Sequence, residues 1–205
     1  MDLWEKTDML GVDKTAWEIY SRLYAEVEPL LYMISNRRGE RSREGVKFYA
    51  TESASSINKI DWDEVIINGE KDVERLARRI YGENRYKSCN LGNIAEGDKP
   101  TIECRGANGT VIYNISRENI LLFGRMIQAA KLCSVCYELK GEKLERIFER
   151  DISEKEKLIR FLDFVFDSEE EKEIFYKRWA SKAGEKPIFG KSSIKTYIRQ
   201  TTPEK

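Results

Sequence analysis

The sequence predicts an α+β fold: a small antiparallel sheet packed by helices, with a helical C-terminal extension. Three observations carry this. Two strand-like runs, Arg85 to Leu91 and Pro100 to Gly106, flank a loop rich in Gly, Glu and Asp, the pattern of an antiparallel hairpin. Elsewhere apolar residues recur at spacings of three and four, the period of amphipathic helices. With 40% hydrophobic and 11% aromatic residues in 205, the chain has enough apolar material for a core.

Each element has a local reason. Thr15-x-x-Glu18 has the form of a capping box, and Trp17, Tyr20, Tyr24, Val27, Leu31 and Ile34 behind it form one apolar stripe. Pro29 lies inside this helix and removes a backbone donor, which predicts a kink near Glu28. Ser35 to Gly45 holds two Gly and four Arg and reads as a loop, Val46 to Ala50 as a short strand, and Thr51 to Asn58 as turn-rich. Asp72 to Tyr81 puts Val73, Leu76, Ala77 and Ile80 on one face, and Gly82 ends that helix. In Ala107-Asn108-Gly109-Thr110, Asn-Gly suits a tight turn.

Asn119 to Lys140 is the most apolar segment, and Ile120, Phe123, Ile127, Ala130, Leu132 and Val135 predict a largely buried helix ended by Gly141. Glu142 to Arg150 continues as a short helix. Ser153-x-x-Glu156 and Ser168-x-x-Glu171 cap two more, running through Phe166 and Trp179. From Ala183 onward Lys, Gly, Ser, Thr and Pro dominate, as in a poorly ordered tail. The expected division is 1–140, a helical extension 141–182, and a tail 183–205.

Charge and composition exclude several functions. Lys plus Arg (36) equals Asp plus Glu (36), so nothing pulls the whole chain toward nucleic acid or an acidic membrane. There is no His, which rules out imidazole bases, shuttles and metal ligands within these residues. No apolar run is long enough to span a bilayer, and Met1 to Lys6 has neither a basic nor an apolar leader, so a cytoplasmic protein is expected. Four cysteines (Cys89, Cys104, Cys133, Cys136) are too few for a disulfide scaffold and are expected as thiols in a reducing compartment.

Glu103 and Arg105 stand two apart on an expected strand, so both side chains project from one face. A carboxylate can bind Mg²⁺ while a guanidinium fork holds phosphoryl or carboxylate oxygens; an ion pair on a solvated face is the other reading. Arg37, Arg38, Arg41 and Arg43 around Gly39 suit a phosphate, nucleic acid or simply water. Cys133-x-x-Cys136 lacks further ligands and reads as helix packing. Neither a phosphate-loop nor a dinucleotide fingerprint occurs.

Taken in order, three segments resemble the amidoligase family, carboxylate-amine ligases related to glutamine synthetase and the glutamate-cysteine ligases. They are Tyr24-Ala25-Glu26-Val27-Glu28-Pro29-Leu30-Leu31 with Ser35-Asn36-Arg37-Arg38, then Arg85-Tyr86-Lys87-Ser88-Cys89-Asn90-Leu91, and then Thr101-Ile102-Glu103-Cys104-Arg105-Gly106-Ala107-Asn108-Gly109-Thr110. The last is similar to the family's Thr-Ile-Glu-Phe-Arg strand and Asn-Gly-Thr turn, with Cys104 in place of the aromatic. The resemblance covers about residues 15 to 140 and implies part of a glutamine-synthetase-like catalytic fold. It implies ATP and Mg²⁺ as cofactors, Glu103 as metal ligand, Glu103 and Arg105 as catalytic residues, and Arg37, Arg38, Asn90 and Asn108 around phosphate or substrate. The reaction implied is phosphorylation of a small-molecule or peptide carboxylate, then displacement of phosphate by an amine. The family's Gly-x-Glu-x-Glu strand and His-containing segment do not occur here, so the resemblance also implies an N-terminal half on another chain, or a truncated, inactive remnant. Set beside this is a non-catalytic helical module that binds a protein partner through the apolar helix and its successors.

Overall fold

The computed structural model describes residues 10–35, 51–82, 84–97, 99–107 and 113–185. These are 68% helical with one two-stranded antiparallel sheet, so the α+β class holds in its coarse form. The expected arginine loop, the strand at 46–50, the Asn108 turn and the tail beyond 185 lie outside the described residues. None of the described helices is long and apolar enough to cross a membrane.

Helix α1 (Lys14–Ser35) is the hub. Trp17, Tyr20, Leu23, Tyr24, Val27, Leu31 and Ile34 are each at most 2% exposed, so the helix is enclosed on almost every side. Its cap is Asp13, not the Thr15 box. Asp13 Oδ1 accepts from Ala16 N at 3.0 Å and its carbonyl from Trp17 N at 3.1 Å, and a carboxylate also suits the positive helix end. The helix runs on through Pro29, which faces outward.

The C-terminus of α1 is closed by other helices. Asn119 Nδ2 donates to Ser35 O at 3.1 Å, Arg178 Nη1 to Ile34 O at 3.0 Å, and Lys182 Nζ to Met33 O. Carbonyls that no intrahelical donor can reach thus receive two cations, which also answer the negative end of the helix dipole.

Helix α2 (Ala54–Ile57) is a single turn beside α1, and α3 (Glu70–Tyr81) buries Val73, Leu76, Ala77 and Ile80 as its period predicts. Gly82, at φ 56°, ends α3 in the left-handed region, donating to Arg78 O at 2.9 Å.

The hairpin is correct in its pairing and much shorter than expected. Strand β1 (Cys89–Asn90) pairs antiparallel with β2 (Glu103–Cys104), Cys89 opposite Cys104 and Asn90 opposite Glu103. The ladder stops at Ser88, whose amide donates to Thr51 O at 2.8 Å instead of to the second strand. The expected loop between the strands holds helix α4 (Gly92–Glu96), whose Ala95 O accepts from Arg78 Nε at 2.7 Å, fastening it to α3.

The long apolar helix departs most from expectation. Helix α5 spans Tyr113–Val135, and Cys136, at φ −142° and ψ 83°, leaves the helical region before α6 (Tyr137–Ile147). The core face of α5 is Leu122, Met126, Ala130 and Cys133, while Ile120 and Val135 are 75% and 72% exposed. Gly141 sits inside α6 instead of ending a helix. A Cβ there would lie 2.2 Å from the Tyr137 ring, whose hydroxyl reaches Glu145 at 2.9 Å.

Helices α7 (Glu154–Val165) and α8 (Glu169–Ala183) begin where their serines predict, with Ser153 Oγ accepting from Glu156 N at 3.1 Å and Ser168 Oγ from Glu171 N at 3.5 Å. Phe161, Phe164, Phe166 and Phe175 join the same continuous core as α1, so helices α6 to α8 share the hydrophobic interior of the first half. Within this half Asp163 accepts from Lys172 at 2.8 Å and pairs with Lys143 at 3.0 Å. Burial raises the Asp163 pKa, but the two ammonium groups outweigh it and hold the carboxyl below its ordinary 3.8. A depressed carboxyl stabilises the fold above its unfolded pKa, and that contribution disappears as pH falls through the folded value. Urea midpoints measured from pH 7 down to pH 3 will therefore drop below about pH 4. Asp163→Asn will cost about 2 kcal/mol at pH 7 and flatten that part of the profile.

Candidate functional site

Three residues singled out by sequence meet on the sheet. Asn90 ends β1 and Glu103 starts β2, and their register sets them directly opposite. Asn90 Nδ2 donates to Glu103 Oε2 at 2.8 Å. Arg105 Nη2 donates to the same oxygen at 2.9 Å, and its Nε lies 2.8 Å from Oε1. Burial raises the Glu103 pKa, and the hydrogen bonds from Arg105 and Asn90 overcome it, so the carboxyl ionises more readily than usual. Glu103, Cys104, Arg105 and Ala107 line an open surface depression.

The ground under this cluster is α1. Gly106 follows Arg105, and its carbonyl accepts from Ser35 Oγ at 3.2 Å. A Cβ on Gly106 would stand 3.6 Å from Tyr24 Oη and 3.7 Å from the Tyr32 ring, which is how closely the backbone approaches the helix. Arg105 N donates to Ser88 O at 2.7 Å.

Beneath lies a buried polar centre that the sequence reading did not assign. Glu28 of α1 is 2% exposed. Its Oε1 accepts from Ser53 N at 2.9 Å and from the Ser88 hydroxyl, and its Oε2 accepts from Ala54 N at 3.0 Å. Ser53 Oγ in turn lies 3.1 Å from Ser88 Oγ. Lys87, also buried, donates to Glu52 O at 2.6 Å; burial lowers its pKa and the nearby Glu28 and Glu52 charges oppose that. A signal for Glu28 exists in the sequence: it falls four residues after Tyr24 and three before Leu31, a charge on the apolar stripe of a core helix.

Arg37, Arg38 and Asn108 lie outside the described residues. Among the described residues no group of three or more His, Cys, Asp or Glu side chains could hold a metal ion. Glu103 is a single carboxylate already engaged by a guanidinium, so the described residues do not by themselves fit Mg²⁺. The Arg105 fork and the Asn90 amide are donors of the kind that hold a carboxylate or phosphate, and here both are engaged by Glu103. Comparison with models of known protein families, with curated proteins and with solved structures gives no match.

Because the Glu103 side chain is 47% exposed, its pairing with Arg105 adds little to folding. Glu103→Gln is expected to change the free energy of unfolding by less than about 1 kcal/mol in chemical denaturation. A larger loss would show the pair to be a structural strut.

Proposed function

We propose that this chain is an amidoligase-like protein that takes part in ATP-dependent joining of a carboxylate to an amine through an acyl phosphate. The observation that carries the reading is the meeting of Asn90, Glu103 and Arg105 through their side chains, with Glu103 and Arg105 lining an open depression, in the order and spacing of the family's last two motifs. The chemistry asks for charge neutralisation and positioning more than for a strong base, which suits a chain without His. In this reading Glu103 keeps Arg105 extended at the depression until substrate arrives. The guanidinium then holds the carboxylate or phosphoryl oxygens, and Asn90 orients Glu103 from the neighbouring strand. ATP with Mg²⁺ would supply the phosphoryl group. Its metal-binding carboxylates have to come from outside the described residues, an N-terminal half on another chain being the source the family pattern suggests.

A second reading has its own observation. Tyr113, Ile120, Val135, Tyr137 and Leu139 are each more than half exposed along α5 and α6, an apolar stripe of the kind that protein partners cover. A helical interaction module would use that stripe and leave Glu103 and Arg105 open to substitution.

Calorimetric titration with ATP, with and without Mg²⁺, separates the two. The ligase reading expects saturable binding that Arg105→Ala weakens by tenfold or more, the loss of one charge-assisted contact. Binding that Arg105→Ala leaves unchanged, or no binding by a folded sample together with no effect of Arg105→Ala once an N-terminal half is supplied, overturns it; a stable oligomer broken by Ile120→Lys would favour the module.

A further inference from the structure

Cys89 and Cys104 occupy opposite positions in the β1–β2 pair, so both side chains leave the same face of the sheet. The hydrogen bonds fix which kind of pair this is. Arg105 N donates to Ser88 O at 2.7 Å, one position outside it, while Cys89 N turns away to Ser53 Oγ at 3.0 Å. The two cysteines therefore form a non-hydrogen-bonded pair. Such pairs bring Cα atoms to about 4.5 Å, and a disulfide accepts about 4.4 to 6.8 Å, so a bond can close with little movement of the backbone.

We propose that Cys89 and Cys104 are a modification site: a thiol pair that closes to a cross-strand disulfide when a small disulfide such as oxidised glutathione is present. Access is from one side. Cys104 is half-buried and the more accessible of the two, whereas Cys89 is 2% exposed and its Sγ lies 3.8 Å from the Tyr20 hydroxyl; both thiols leave the face of the pair opposite to Glu103 and Arg105. Cys104 thiolate attacks the small disulfide and releases one small thiol; Cys89 thiolate then attacks the Cys104 sulfur of the mixed disulfide and releases the second. The two cysteine thiols lose two protons and two electrons, and the oxidant gains them as two thiols. Closure ties together the strands that carry Asn90, Glu103 and Arg105. It does so whether or not the depression binds nucleotide, so this inference stands apart from the ligase reading.

Burial holds the Cys104 thiol at about 12 and pushes the Cys89 thiol well above its ordinary 9.0. Thiolate is the reacting form, so the rate of closure rises about tenfold per pH unit in the range below those values. The other two cysteines, Cys133 and Cys136, differ: Cys133 is enclosed in the core face of α5 and Cys136 sits at the break before α6.

The test uses the full chain, incubated with oxidised glutathione, quenched by acid and alkylated before trypsin digestion. Lys99 precedes Pro100 and resists cleavage, so one peptide, 88–105, holds both Cys89 and Cys104, and a separate peptide, 132–140, holds Cys133 and Cys136. The proposal expects peptide 88–105 to lose two hydrogens and its alkylation sites, faster at pH 9 than at pH 7, with no such change in a Cys89→Ser variant. In that variant Cys104 should stop at the glutathione adduct. Alkylation of both Cys89 and Cys104 after oxidation, or closure confined to peptide 132–140, overturns it.

Discussion

A buried carboxylate governs the arrangement of the first half of this protein. Glu28 comes from the middle of the core helix α1 and is almost completely removed from water. A charge in that position is tolerable only if donors surround it. They are the backbone amides of Ser53 and Ala54 and the hydroxyl of Ser88, drawn from two separate segments of the chain, with the Tyr32 hydroxyl one turn along α1 donating at 3.4 Å. Satisfying one side chain thereby sets where α2 begins and where β1 approaches α1.

That constraint matters because the sheet cannot hold itself. Each strand is two residues long, and a two-stranded ribbon of that size has little stability of its own. Its position comes from neighbours: Ser53 Oγ receives Cys89 N, Ser88 O receives Arg105 N, and Ser35 Oγ donates to Gly106 O. The surface cluster of Asn90, Glu103 and Arg105 thus stands on a frame that leads, bond by bond, to Glu28 and the end of α1. The same helix end is closed from the other half by Arg178 and Lys182 of α8, so the C-terminal helices support the site region as well as the core.

Much of this was legible in the sequence. The caps at Ser153 and Ser168, the amphipathic face of α3 and its stop at Gly82 are decided within one or two helical turns, and they read correctly. The meeting of Glu103 with Arg105 was also accessible, because residues two apart on a strand share a face, whereas Asn90 on the other strand entered only through the family resemblance. Where tertiary contacts decide, the local signals misled. Gly141 resembled a stop and instead makes room for the Tyr137 ring. The apolar residues Ile120 and Val135 were assigned to the core, which took Leu122, Met126 and Cys133 on the opposite face of the same helix. The strands are shorter than their sequence pattern predicts because Thr51 O takes the Ser88 amide that an isolated ladder would have used. Glu28 is marked in the sequence only as a charge on an apolar stripe, because its donors at Ser53, Ala54 and Ser88 are remote in sequence.

The central claim is that the Glu28 carboxylate holds the site frame together, and amide hydrogen exchange on Glu28→Gln tests it most directly. The substitution keeps the shape but turns an NH₂ group toward donors, leaving at least one of them unsatisfied. The account predicts a loss of about 1 to 3 kcal/mol in global stability. Beyond that loss, it predicts a joint drop in protection at Ser53, Ala54, Cys89 and Arg105, while amides of α7 and α8 lose no more than the global change requires. Protection at those four amides that simply follows the rest of the molecule would contradict it.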